Sequence, residues 1–262
     1  MKSCKEDHHL ETASSIRLGT LVDFRANPDP EVGDDQEAAL STQVEIRTPR
    51  VLPCHVLERA LPCMIDFGTG QRILWRRFYF NLETCTPGPI ANGRVLIERF
   101  NCFYKTEGSD ALIFCMTSTN DPEESPRLNY GSSWKMKRSE ADLFGKELLS
   151  QLNKRFKQEP EHFLDRQAWA GKLRPSGMKF ALCHGLVTYR PRDLHLVDPT
   201  LAELDQLGHL LANPDMVKAE SYRHQDEYRF CFRLISNDRI INLRSDLEYL
   251  FLDASPFRKF LL

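Results

Sequence analysis

Ser221–Leu234 reads SYRHQDEYRFCFRL, and this stretch decides the fold class. Alternate side chains of a β-strand point to opposite faces. One face would carry Tyr222, His224, Asp226, Tyr228, Phe230, Phe232 and Leu234, and is apolar in its second half. The other would carry Arg223, Gln225, Glu227, Arg229, Cys231 and Arg233. The pattern predicts a strand over Tyr222–Leu234, with Gln225 and Glu227 about 6.6 Å apart along its polar face at a rise of about 3.3 Å per residue. Taken alone, that face reads as the solvated side of an antiparallel strand.

Working outward, Arg239–Leu243 pairs with this strand through a Ser236-Asn237-Asp238 turn. Val44–Arg47, Ile73–Leu82, Arg94–Tyr104, Leu112–Met116 and Phe180–Tyr189 are rich in β-branched and aromatic residues and read as further strands. Ser15–Phe24 is strand-like around Gly19, and Asp193–Val197 completes a hairpin around Arg190–Arg192. Cys85–Gly93 and Asn120–Ser133 read as a turn and a loop, and Ala26–Gln36, dense in Pro, Asp and Gly, as another loop. Two helices stand out. One follows Ser139, a candidate N-cap with Asp142 at the capping-box position, and buries Leu143, Leu148, Leu149, Leu152 and Phe156. The other spans Thr200–Ala212, between Pro199 and Pro214. Strands and helices mix without βαβ alternation. The expectation is therefore one α+β domain over residues 15–262, with mixed, mainly antiparallel sheets, flanking helices and a flexible tail over residues 1–14.

Composition narrows the function classes. The chain has 262 residues, 41% of them hydrophobic, enough for a core. Net charge is −2, so no global field draws it to nucleic acid or anionic lipid. No apolar run approaches the roughly 20 residues that span a bilayer. Met1–His9 has no apolar leader core, which predicts a cytoplasmic protein with no membrane partner. Eight cysteines in such a setting read as reduced thiols, several of them in apolar strands. Basic clusters at Lys135–Arg138 and Arg190–Arg192 read as solvated faces or as a groove for a phosphate-bearing ligand. No C-x₂₋₄-C pair, P-loop, dinucleotide-binding glycine motif or G-x-S-x-G elbow occurs.

Two further segments change the weight of Glu227. Leu112–Asn120, LIFCMTSTN, runs an apolar strand into Thr117-Ser118-Thr119, whose hydroxyls can bond local backbone. Arg17 stands inside the apolar stretch Ile16–Val22, as an edge residue or a phosphate anchor. In chain order, Arg17, Thr117-Ser118-Thr119 and Gln225-Asp226-Glu227 resemble the signature of the ADP-ribosyltransferase family: an Arg on the first core strand, a Ser/Thr triplet ending a second, and a Gln/Glu-x-Glu on a later one. The triplet is Thr-Ser-Thr where the family has Ser-Thr-Ser. Arg17–Glu37 and Gln225–Arg229 are also similar to elements of uncharacterised bacterial proteins associated with toxins and phage defence.

The resemblance implies transfer of ADP-ribose from NAD to a protein or nucleic acid, and a toxin of this kind implies a neutralising partner protein. It implies catalytic roles for Glu227, which would stabilise the oxocarbenium-like ribose, and Gln225, which would orient the acceptor. Arg17 would hold the pyrophosphate, Thr117, Ser118 and Thr119 the ribose and cleft, Tyr222 or Tyr228 the nicotinamide ring, and Arg229 a phosphate or Glu227 itself. Two alternatives stay open. A binding module would use the amphipathic run Ser245–Leu262, and a metal-dependent nuclease would use Asp34, Glu37 and Glu227; no metal ligands are otherwise expected.

Overall fold

A computed structural model describes residues 1–29, 33–61, 75–108, 110–118, 131–164, 177–237 and 239–262. Thr119, the last member of the hydroxyl triplet, and most of the loop expected at Asn120–Ser133 lie outside the described residues. The chain is mixed α+β with mainly antiparallel sheets. Its strands are β1 (Lys2–Cys4), β2 (Ser15–Thr20), β3 (Ala39–Ile46), β4 (Arg50–Pro53), β5 (Trp75–Ala91), β6 (Arg94–Gly108), β7 (Leu112–Thr117), β8 (Ser132–Trp134), β9 (Met178–Leu186), β10 (Thr188–Arg190), β11 (Asp193–Val197), β12 (Val217–Ala219), β13 (Glu227–Ser236), β14 (Arg239–Ile240) and β15 (Tyr249–Asp253). Helices are α1 (Leu21–Ala26), α2 (Cys54–Ala60), α3 (Ala141–Gln158) and α4 (Leu201–Ala212). No helix among the described residues is long and apolar enough to cross a membrane.

Contacts divide the chain into two compact units. The first comprises Met1–Glu37, Asp110–Tyr189 and Ser221–Leu262, and the second Ala38–Ser109 and Arg190–Glu220.

In the first unit, a sheet runs β14-β13-β7-β2-β15, with β9 also paired to β13. One face of it is apolar because alternate residues are: Leu18, Leu112, Phe114, Phe230, Phe232 and Leu234 are buried there. Helix α3 lies on this face through Phe144, Leu148, Leu152 and Phe156. Gly145 allows the close approach, since a Cβ there would stand 2.9 Å from the Leu182 and Phe230 side chains. Phe144 is the hub, 5.2 Å from Phe257 and 5.5 Å from Phe230 and Phe260 between ring centroids. Burying such rings contributes about 1.5–3 kcal/mol each.

In the second unit the order is β11-β3-β6-β4, with β5 on β6. Helices α2 and α4 supply Val56, Leu57, Leu204, Leu207 and Leu211 to a core against Val44, Ile46, Val95, Ile97 and Cys102. Thr200 caps α4 with a full capping box, its hydroxyl accepting from Glu203 N while the Glu203 carboxylate accepts from Thr200 N.

Several expectations are corrected. Lys2–Cys4 forms a strand paired with β8 instead of a flexible tail. Cys85–Ala91 continues β5, and the turn is only Asn92-Gly93, at φ 52° and 69°, the positive pair that a two-residue hairpin requires. Asp193–Val197 forms no hairpin; it pairs parallel to β3. The strand expected over Ser15–Phe24 ends at Thr20, whose hydroxyl caps α1 by accepting from Asp23 N. Ser139 makes no cap, because a 3₁₀ turn over Arg138–Glu140 precedes α3, and Leu143 is exposed while Phe144 takes the core position. The C-terminal run is core: Leu250, Leu252, Phe257 and Phe260 are all buried.

Candidate active site

Strand β13 begins at Glu227, five residues later than expected. Glu220–Gln225 is a 3₁₀ helix, and Asp226 turns the chain with φ 41°. Gln225 therefore does not share a strand face with Glu227. The bend is braced from the end of β7, where Ser118 N donates to Asp226 O (2.8 Å) and the Ser118 hydroxyl donates to the Asp226 carboxylate. Tyr222 sits in the same 3₁₀ turn, its hydroxyl donating to Gly33 O at 2.7 Å.

From Glu227 the strand alternation holds, and it orders the site. Glu227 pairs with Thr117, Arg229 with Cys115 and Cys231 with Ile113 in the antiparallel register of β13 and β7. On the other edge Gly185 stands opposite Arg229 and adds no side chain to that face. Strand β2 pairs with β7 at Gly19 and Ile113, so Arg17, two residues from Gly19, shares this face. Three segments remote in sequence thus lie on neighbouring strands, with Arg17, Thr117, Glu227 and Arg229 on one face.

That face is not the solvated surface read from the sequence. Arg229 and Glu37 side chains are 1% exposed, and Glu227 is 6% exposed. Arg229 Nε donates to Glu227 Oε1 at 2.6 Å, and its Nη1 donates to Glu37 Oε1 at 2.7 Å. Burial opposes the guanidinium charge, yet Glu227 and Glu37 outweigh it and hold its proton well above the usual range. Such a pairing stabilises little against an apolar substitute, but losing one partner strands a buried charge at about 3–5 kcal/mol. A triad of this cost suits a site that needs a carboxylate fixed in one orientation.

The surroundings tighten the arrangement. Arg25 donates from Nε and Nη2 to Glu37 O (3.0 and 2.8 Å), and its Nη1 lies 3.7 Å from Asp110 Oδ1. Glu37 Oε2 is buried and finds no hydrogen-bond partner among the described residues. The next residue, Ala38, holds φ at 60°, a conformation disfavoured for alanine. The Tyr189 hydroxyl accepts from Glu227 N at 2.7 Å, and burial pushes its phenol up. Burial, then the Glu227 charge, pushes the Cys115 thiol up to about 12.

The expected residues divide. Thr117, Glu227 and Arg229 come together, with Ser118 bracing beside them. Arg17 faces the same way but is held by Asp23, at 2.7 Å from Nη2 to Oδ2, and its guanidinium lies 4.8 Å from the Tyr249 ring centroid. Burial raises the Asp23 carboxyl despite Arg17. Gln225 and Tyr222 belong to the turn before the strand. Glu37 is the residue whose part the sequence understates: a candidate only for a metal-dependent nuclease there, it is the outer carboxylate on Arg229. Arg229 itself occupies the place between Glu37 and Glu227 that a cation would take. No group of three acidic, histidine or cysteine side chains suited to a metal ion occurs among the described residues.

Comparison of the chain with protein-family models, curated proteins and solved structures gives no match.

Proposed function

We propose that this chain is an NAD-dependent ADP-ribosyltransferase acting in the cytoplasm on a protein or nucleic acid, with Glu227 as its catalytic carboxylate. The observation that carries the reading is the adjacency of β2, β7 and β13, with Arg17, Thr117 and Glu227 on one sheet face. In the reaction the C1′–N bond to nicotinamide breaks, nicotinamide leaves with the electron pair, and the acceptor's oxygen or nitrogen bonds C1′ and gives up its proton. Positive charge builds on the ribose as the bond breaks. A carboxylate aimed at that charge in a water-poor site is worth far more than one in water. Arg229 and Glu37 hold the Glu227 carboxylate in one orientation, so little reorganisation is needed as charge develops. Thr117, directly across the strands from Glu227, would contact the ribose. Arg17 would take the pyrophosphate by exchanging Asp23 for phosphate oxygens.

Gln225 is not placed to act beside Glu227, so acceptor orientation falls to the exposed Asp226 bend and its neighbours. The role of a bacterial toxin or anti-phage effector, with a partner protein that neutralises it, follows only from the sequence resemblance. The tail-mediated binding module is the weaker reading, since Phe257 and Phe260 are core.

The test is incubation with adenylate-labelled NAD and cell lysate. The parent should transfer label to macromolecules and release nicotinamide. Glu227→Gln should lower both at least about 10³-fold, a loss near 4 kcal/mol of transition-state stabilisation. Thr117→Val and Arg17→Ala, which leave the buried triad intact, should raise KM or lower kcat with unchanged melting. A parent that consumes no NAD, or a folded Glu227→Gln variant as active as the parent, refutes the reading.

A further inference from the structure

The opposite face of the same strand carries a second chemical arrangement that NAD cleavage does not use. Tyr228 follows Glu227 and points the other way. Its hydroxyl lies 2.7 Å from His184 Nδ1, on the neighbouring strand β9. His184 Nε2 in turn lies 3.5 Å from Asp142 Oδ1, in the first turn of α3. The imidazole is fixed by stacking on Phe230, with centroids 5.6 Å apart and planes 12° from parallel. The order is hydroxyl, imidazole, carboxylate, from three different elements, and each group reaches the next. That order converts a weak nucleophile into an active one, because the base removes its proton as the new bond forms and the acid orients the base.

The surroundings favour this over a purely structural bond. Tyr228 is half-buried, and the His184 and Asp142 side chains are 24% and 53% exposed, so none of the three is closed off from solvent. With Nε2–H turned to Asp142, the tautomer this arrangement requires, Nδ1 is the ring's acceptor and the Tyr228 hydroxyl donates to it. Two cations flank the chain. Arg138 is near enough for its charge to act on the phenol, and Lys146 Nζ donates to Asp142 Oδ2 at 2.6 Å. Cations beside a nucleophile suit an anionic electrophile.

We propose that Tyr228 is an activated acceptor hydroxyl, with His184 as its general base and Asp142 as the positioning residue, for an anionic electrophile of the phosphoanhydride class. Tyr228 Oη bonds phosphorus, the P–O bond to the leaving phosphate breaks with its electron pair, and the phenol proton passes to His184 Nδ1. The imidazolium so formed faces Asp142. The proposal is independent of NAD chemistry on the other sheet face.

The test uses 4-(fluorosulfonyl)benzoate, an anionic probe in which Oη–S forms as S–F breaks and fluoride leaves, with the labelled tyrosine located by peptide mass. Tyr228 should be labelled at least about tenfold faster than Tyr79, which is more exposed but stands against Phe103. His184→Gln should bring Tyr228 to the Tyr79 rate, and Asp142→Asn, an exposed change that spares the fold, should slow it several-fold. Arg138→Ala should slow the anionic probe but not neutral phenylmethanesulfonyl fluoride. Labelling of Tyr228 no faster than Tyr79, or unchanged by His184→Gln in a protein of parental melting, overturns the activated hydroxyl. Equal slowing of both probes by Arg138→Ala overturns the anionic class.

Discussion

The two units are built alike, yet treat charge on the free sheet face in opposite ways. In each, helices cover one face of a mainly antiparallel sheet with aliphatic and aromatic side chains. In the second unit the other face carries a surface network: Glu45 Oε1 lies 2.8 Å from His195 Nε2, and Arg47 Nε donates to Glu45 Oε2 at 2.7 Å. His195, then Arg47, holds the Glu45 carboxyl below its ordinary range, but Arg47 is 64% exposed and water screens the pairing. In the first unit the corresponding face buries Glu37, Arg229 and Glu227 almost completely. Similar residue types, paired at similar distances, thus stand in two dielectric settings. Only the buried set binds its members tightly enough to make each one indispensable.

The sharpest way to break this contrast is Arg229→Met. Two carboxylates would be left buried without their cation, and urea unfolding should report a loss of about 3–5 kcal/mol. Arg47→Ala, the matching change in the second unit, should leave urea unfolding nearly unchanged, because water already screens that pairing. A similar cost for both would erase the distinction. Replacing Glu37, Arg229 and Glu227 together with apolar residues of like volume should recover much of the stability while removing activity. Next in size is Gly145→Val, which places atoms where Leu182 and Phe230 already stand; a loss of about 1–3 kcal/mol is expected in thermal melting.

Alkaline pH sharpens the comparison further. Cys115 titrates near 9.0 ordinarily and near 12 in the fold. Between those values the unfolded chain has released a proton that the native chain retains, so native stability falls as pH rises through that window. The thiol is only partly buried, so the slope should stay below about 1.4 kcal/mol per pH unit. Urea titrations at pH 8 and 10.5 should show the drop, and Cys115→Ala should lessen it. A modest effect belongs to Thr200→Ala, which removes one cap of α4 and should cost about 1 kcal/mol.

Much of the first unit's sheet was legible: YRFCFRL carries the period of two openly and puts Phe230 and Phe232 on one face, and LIFCMT reads as a strand from its β-branched and aromatic residues, though only the register of β7 and β13 brings Phe114 opposite Phe230. Helix α4 was equally plain, with Thr200 and Glu203 at capping-box spacing. The start of β13 was not. Gln225 and Asp226 continue the alternation on paper, but Asp226 takes a left-handed conformation, a choice stabilised by Ser118 more than a hundred residues away. The burial of Arg229 was hidden for a similar reason. An Arg between Glu and Cys on a strand looks solvated until Glu37 is brought over it, and nothing near Glu37 marks it out from other loop acids. Asn92-Gly93 was visible as a turn, yet the prolines before it suggested a longer one, because β5 is an edge that tolerates Pro87 and Pro89.

The path of the chain through the first unit has a consequence for biosynthesis. Ile16 pairs with Leu252 across the sheet, and Phe257 closes over Phe144. The second unit's segments are made in between. A ribosome therefore displays Leu18, Phe114 and Phe144 long before the residues that cover them emerge. Contacts so distant in sequence form slowly, and exposed apolar surface of this kind invites aggregation during the delay. The nascent first unit should accordingly depend on chaperones until its last strand is released, while Ala38–Ser109 already holds most of the second unit's sheet.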